Sequence, residues 1–199
     1  MKTPLVVAFL ILSLMSCYTY AMGPAETELF KAIDEEHIKH ISSLLDKGVD
    51  VNCRNYGGDT PLLYAIYFNT SDMLVPIVRC LLDHGADVNT HGQYGNTPLI
   101  AIMGSRSHSF MDCIHILLDR GADVNARNTA GRTALMAAAD HKRSVILDIL
   151  DLLVSRGADI NAKDNNGETA LVIARRSFYG SQETARWLID HGANWEQSK

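Results

Sequence analysis

Leu81-Leu82-Asp83-His84-Gly85-Ala86-Asp87-Val88-Asn89 recurs along the chain with small changes. It occurs earlier as Leu44-Leu45-Asp46-Lys47-Gly48-Val49-Asp50-Val51-Asn52. It returns at Leu117-Leu118 to Asn125, at Leu152 to Asn161, and at Leu188-Ile189-Asp190-His191-Gly192-Ala193-Asn194. The aligned glycines Gly48, Gly85, Gly121, Gly157 and Gly192 are 37, 36, 36 and 35 residues apart. A second marker keeps step with the first. Thr60-Pro61-Leu62, Thr97-Pro98-Leu99, Thr133-Ala134-Leu135 and Thr169-Ala170-Leu171 each begin 12 residues after the preceding glycine. Self-similarity of this period marks a repeat architecture, in which each unit buries its apolar face only by stacking on its neighbours.

Each marker has a physical reading. A Thr ahead of Pro-Leu or Ala-Leu is a helix N-cap, its hydroxyl accepting from a free N–H of the first turn. Pro61 and Pro98 then take the first helical position, where a missing N–H costs nothing. The glycine after the Leu-rich run fits the residue that ends a helix. Gly58, Gly95, Gly131 and Gly167 stand two residues before each Thr, in polar stretches that read as turns of short β-hairpins. One unit is thus helix, turn, helix and an extended polar finger. The recurring Asn52, Asn89, Asn125 and Asn161 are expected to bond turn backbone.

The Thr-Pro-Leu and Gly-Ala-Asp-Val-Asn segments closely resemble the ankyrin repeat, over about residues 27 to 194. The resemblance implies an all-α repeat solenoid of about five units, approximately 24–52, 53–89, 90–125, 126–161 and 162–199. It also implies a non-catalytic role in binding a protein partner through finger tips and the exposed face of the first helices, as an immunity or inhibitor protein, a helper of an envelope enzyme or a secreted effector, with a small hydrolase as the alternative of another class. On the fingers it points to Tyr56, Asp59, Gln93, Tyr94, Asn96 and Thr129, and further along to Arg132, Asn165, Asn166 and Glu168. On the first helices it points to Tyr64, Tyr67, Phe68, His141 and Arg176. Tyr and Arg are favoured at interface centres.

Two departures from the family pattern stand out. The family's His after Thr-Pro-Leu is here Leu63, Ile100, Met136 or Val172, so apolar contact is expected to replace its hydrogen bonds. The Thr-to-Gly spacing is 25, 24, 24 and 23 in the four later units, but 21 from Thr27 to Gly48 in the first. Added residues are therefore expected in the helix–helix turns, at 68–72, 104–110, 140–143 and 177–181. Helices longer by part of a turn are the alternative. Glu26, Glu28, Lys31, Asp34, Glu35, Glu36, Lys39 and His40 suit the wet outer face of a capping unit.

With 199 residues, 47% apolar, 21% charged and a net charge of −5, the chain suits one soluble domain. It argues against nucleic acid as partner, which wants a basic surface. No phosphate loop, His-Glu-x-x-His or Gly-x-Ser-x-Gly is present, no cofactor is expected, and the chain reads as a monomer. His108, Cys113 and His115 form the best metal candidate, at unconvincing spacing. Of the cysteines, Cys53 is the better candidate for a reactive thiol, while Cys80 and Cys113 lie on apolar helix stripes. Arg54, His91, Arg127 and Lys163 form a basic column that reads as a solvated face. His84, His191, Lys47, Arg120 and Arg156 suit the dipole at helix ends.

The first residues read as an export signal. Lys2 precedes an apolar run from Leu5 to Leu14, and Thr19-Tyr20-Ala21 follows. That is the charge, length and small-residue end of a secretory signal cut after Ala21. Leu14-Met15-Ser16-Cys17 also resembles a lipobox, which would put a lipid anchor on Cys17. Either way the chain is expected to be exported, with the periplasm as its location and secretion as an alternative.

Overall fold

The Thr markers close helix starts. Thr60 accepts from the Leu63 N–H at 3.5 Å, Thr97 from Ile100 at 3.4 Å, Thr133 from Met136 at 3.4 Å and Thr169 from Val172 at 3.5 Å. The glycine markers close helix ends. The N–H after the glycine returns to the Leu five residues earlier: Ala86 to Leu81 at 3.0 Å, Ala122 to Leu117 at 3.0 Å and Ala158 to Leu153 at 3.0 Å. These bonds use carbonyls that a helix end leaves unpaired.

The computed structural model describes residues 22–141, 145–176 and 182–194. Among them are α1 (Pro24–Asp34), α2 (Ile38–Asp46), α3 (Pro61–Phe68), α4 (Leu74–Asp83), α5 (Pro98–Ile102), α6 (Phe110–Asp119), α7 (Ala134–Ala139), α8 (Ile146–Ser155), α9 (Ala170–Arg176) and α10 (Gln182–Asp190). They form five hairpins. The first helices α1, α3, α5, α7 and α9 touch in chain order, and each packs on its own second helix. Between the third and fourth hairpins, α5 meets α7 over fewer residues than α3 meets α5. The shared interior holds Leu29, Ile66, Leu81, Leu99, Ile114, Leu150 and Leu171, all fully or almost fully buried. Leu63, Ile100 and Met136 are buried where the family carries its His.

Most of the added residues lie in the turns. The connector is 35–37 in the first hairpin but 69–73, 103–109 and 140–145 in the next three. The expected insertion at 177–181 lies outside the described residues, as do Lys142, Arg143, Trp195 and the whole signal segment. In the third and fourth hairpins α5 and α7 have only 5 and 6 residues, so the turns hold the added length; in the second, α3 has 8 residues against the 7 of α1 that follow Thr27, and α4 has 10 against 9 in α2, so part of its added length is helical. These turns carry their own polar links. Asn69 donates to Glu36 at 3.1 Å and the Ser107 hydroxyl donates to the Ser71 carbonyl at 3.3 Å.

The structure adds detail to the repeat at three points. Thr27 is not a cap: α1 starts a turn earlier, and the Thr27 hydroxyl donates to the Gly23 carbonyl at 3.1 Å. Leu29, Ala32 and Ile33 are still buried in the register of Leu62, Ala65 and Ile66. The fingers are not strand hairpins among the described residues. Each is closed by one reverse bond, from Asn55 to Asp59, Gly92 to Asn96, Asn128 to Arg132 or Asp164 to Glu168. A side-chain oxygen takes the donors a ladder would use: Asn55 Oδ1 accepts from Gly57 at 2.9 Å and Asp59 at 3.0 Å. Finally, each recurring Asn does bond turn backbone, and the turn is that of the next unit. Asn89 Nδ2 donates to the Gly121 carbonyl at 3.1 Å, and its Oδ1 accepts from the Asp123 N–H at 2.8 Å. Asn52, Asn125 and Asn161 repeat that strap.

The helix-end cations also bridge units. Arg120 reaches Asp83 at 2.7 Å, Arg156 reaches Asp119 at 2.9 Å and His84 reaches Asp46 at 3.2 Å. The His84 ring donates through Nδ1 to the Cys80 carbonyl at 2.7 Å. That bond and the Asp46 carboxylate hold its pKa above the ordinary histidine value. Because folding favours the protonated ring, its contribution is complete below the ordinary value and fades as pH rises through the raised one. A proton-shift titration of the folded protein should place His84 above 6.5, and Asp46→Asn should bring it down. No change in that variant would remove the bridge.

Candidate interaction surface

Fingers and first helices share one face. The helices α3, α5, α7 and α9 each start directly after a finger. The fingers also hold one another. Thr129 donates through its N–H at 3.0 Å and its hydroxyl at 2.7 Å to the Tyr94 carbonyl. The Asn165 N–H meets the Ala130 carbonyl at 3.0 Å, and its side chain donates to the Thr129 carbonyl at 2.9 Å. Two members of the basic column belong to this framework. Arg54 donates to the Gly58 and His91 carbonyls at 2.7 and 2.6 Å, and Arg127 donates to the Lys163 carbonyl. Arg54 and Arg127 are exposed, as a solvated face requires, and they also tie neighbouring fingers.

The expected contact residues separate into two groups. Asp59 is buried, its Oδ1 accepting from the Gln93 N–H of the next finger at 3.1 Å. Tyr64 is half-buried, edge-on to Phe30 with ring centroids 5.2 Å apart. Its hydroxyl donates to Asp34 at 2.8 Å, and burial together with that carboxylate pushes its pKa up to about 12. The polar atoms of both residues are already used inside the stack. Glu168 is half-buried and pairs with Arg176. Arg132 reaches Asp140 at 3.2 Å and the buried Asp164 at 3.7 Å.

The rest face outward. Tyr56 is 79% exposed, Tyr94 70% and Phe68 63%. Tyr67, Gln93 and Asn166 are also exposed, while Asn96 and His141 are half-buried. Phe68 leans on Tyr64 with centroids 4.7 Å apart, so α3 presents a connected aromatic edge. Tyr94 holds a left-handed backbone, φ +63° and ψ 13°, which a side chain bearing Cβ adopts at a cost of ~1–2 kcal/mol. A groove of about 360 Å³ runs beside this edge, between Tyr67, Asn96 and Arg132, with Ile66, Ile100 and Ala101 along it.

Arg106 also lines that groove and is exposed. Sequence reasoning quoted it only as part of an inserted turn. The available signal was a lone cation in added length next to a first helix.

Chemistry of other kinds finds little support. Burial pushes the Cys53 thiol up to about 11 and the Cys113 thiol to about 12, and raises Cys80 as well. The expectation of a reactive Cys53 is corrected accordingly: its thiolate is scarce near neutral pH. Among the described residues no group of three or more His, Cys, Asp or Glu is placed to hold a metal, and Cys113 is fully buried.

A family model of ankyrin repeats (three copies) matches residues 6–91, 29–128, 72–164 and 105–199. No curated protein matches the chain.

Proposed function

Because this chain belongs to the ankyrin-repeat family, we propose that it is an exported scaffold that docks a protein partner on its finger and first-helix face, without chemistry of its own. Ankyrin repeats are protein-interaction scaffolds as a class. The observation that carries the choice of face is Tyr94. An aromatic ring is held 70% exposed on a strained left-handed backbone, where Asn or Gly would sit more easily. Strain kept at an exposed position points to use. Tyr56 stands on the preceding finger tip at 79% exposure. A stable complex would cover about 800 Å² of this face. Export is supported by Lys2, the Leu5–Leu14 run and the small residues up to Ala21. No helix of the described residues is long and apolar enough to cross a membrane. The periplasm is the proposed location, with a monomeric chain.

The test begins with the protein as bait in an envelope extract, followed by repeat capture with Tyr56→Ser combined with Tyr94→Asn. Asparagine tolerates the left-handed backbone, so the melting temperature should hold or rise. Capture of the principal partner should drop at least about tenfold, the size of a lost pair of aromatic hot spots. Undiminished capture by the double variant would move the interface off this face.

A further inference from the structure

The groove beside α3 has a polarity that the finger backbone dictates. Asn128 Oδ1 accepts from the Ala130 N–H at 3.0 Å and the Arg132 N–H at 3.0 Å. Backbone amides can only donate, so this side-chain oxygen is committed and the amide group of Asn128 points the other way. There Nδ2 donates to Asn96 Oδ1 at 2.9 Å. Asn96 must therefore present its own Nδ2 to the Tyr67 oxygen, 3.2 Å away. The relay runs in one direction across three units and ends with the Tyr67 oxygen as acceptor. Its proton is left to donate elsewhere, and among the described residues it has no acceptor. Burial holds the Tyr67 pKa above its ordinary value, so the proton stays on at neutral pH.

A second unused donor lines the same groove. Arg132 is matched by Asp140 at 3.2 Å and Asp164 at 3.7 Å. Arg106 is exposed and forms no ion pair or hydrogen bond among the described residues. A guanidinium carries five donors and no acceptor. The groove thus offers two unused donor groups, the Tyr67 hydroxyl and the Arg106 guanidinium, the latter a cation with no ion pair among the described residues. Its 360 Å³ lies near the lower end of ligand-pocket volumes, room for a side chain rather than a large cofactor.

We propose that this groove receives a carboxylate side chain from an acidic, extended segment of the protein partner. A carboxylate is an acceptor-only group with two oxygens. One accepts from Arg106 and the other from the Tyr67 hydroxyl, while its methylene stem lies along Ile100 and Ala101. This assignment rests on the reading of the chain as a protein-binding scaffold and adds the chemistry of what is bound.

The experiment is a titration of the 15N-labelled protein with an acetylated, amidated hexaglutamate. Hexalysine and a six-nucleotide oligothymidylate serve as comparison probes. The chain's overall charge repels glutamate and attracts lysine, so localised glutamate binding reads the groove alone. Saturable shifts are expected at the amides of Gly104, Ser105 and Arg106 and at the Arg106 side chain, weakening with added salt. Arg106→Gln and, separately, Tyr67→Phe should each weaken binding at least fivefold. Arg79→Gln, at an exposed cation of α4, should leave it unchanged. Shifts spread over the whole surface, no saturation, or equal binding in all three variants would overturn the assignment. An equal or stronger response to the oligothymidylate would overturn it too, in favour of phosphate. If hexaglutamate fails while the Tyr56 and Tyr94 pair still controls partner capture, the groove assignment falls and the docking face stands. If neither responds, both fall.

Discussion

Replacing Leu117 with alanine is expected to lower the free energy of unfolding by about 2–5 kcal/mol. Leu117 is fully buried in α6, and α6 packs on both α5 and α4. The lost methyl and methylene groups leave a cavity that helices tied on both sides cannot collapse into. Total stability of a domain is only about 5–15 kcal/mol, so the midpoint of urea denaturation should fall far enough to read directly. The loss should also be local at first. In a stacked array each unit touches only its neighbours, so stability is a sum of unit and interface terms. Amide exchange should accelerate most in α5 and α6, then in the flanking hairpins, and least in α1 and α2. Ile189→Ala, at a side chain 50% exposed, should cost within about 0.5 kcal/mol. A Leu117 variant as stable as the parent, or one whose exchange rises equally in α1 and α6, would contradict an interior shared only between neighbours.

The fold was legible because its signals are local and repeated. A Thr cap needs only the three residues after it, and a closing glycine only the five before it. Both kinds of bond recur in the structure as the spacing requires. Register is harder. Thr27 has the right position for a cap, yet Pro24 to Glu26 are already helical where the later units carry a finger. Side chains that reach the next unit are harder still. Asn89 reads as a local turn residue, and its partners at Gly121 and Asp123 lie 32 and 34 residues away. Nothing in a single unit distinguishes a side chain that bonds its own turn from one that bonds the turn above it.

The surface was legible at finger tips and not at its joints. Tyr56 and Tyr94 project because a tip has no neighbour to cover it. Asp59 occupies the same place in its finger as Asn96, Arg132 and Glu168, and the same solvated reading was natural for it. It is buried because Gly92 on the next finger has no side chain: a Cβ there would lie 2.4 Å from Asp59 Oδ1. The space for one residue is created by the smallness of another, 33 positions on. Arg106 was passed over for the opposite reason. Added turn length carries no periodic signal, and only the stacked structure brings that turn alongside Tyr67.

The fit between fingers yields the second large effect, as a contrast between Gly131→Ala and Gly167→Ala. Both glycines stand two residues before a Thr marker and have nearly the same left-handed backbone, φ +75° and +79°. Alanine at either meets the ~1–2 kcal/mol penalty of that conformation. Their surroundings differ. At Gly167 an added Cβ meets nothing within 4 Å. At Gly131 it would stand 2.3 Å from Asn165 Oδ1 and 2.8 Å from the Asn165 backbone nitrogen. The side-chain oxygen can rotate away, losing its amide's bond to Thr129. The backbone nitrogen can move only with its whole finger, breaking the Asn165–Ala130 bond. Such overpacking adds about 1–3 kcal/mol. Gly131→Ala should therefore be the less stable variant by that difference in urea denaturation, with amide exchange accelerated at Asn165 and not at Asn55. Equal losses in the two variants would mean that the third and fourth fingers do not touch in solution, and the rigid face that a docked partner requires would be divided there.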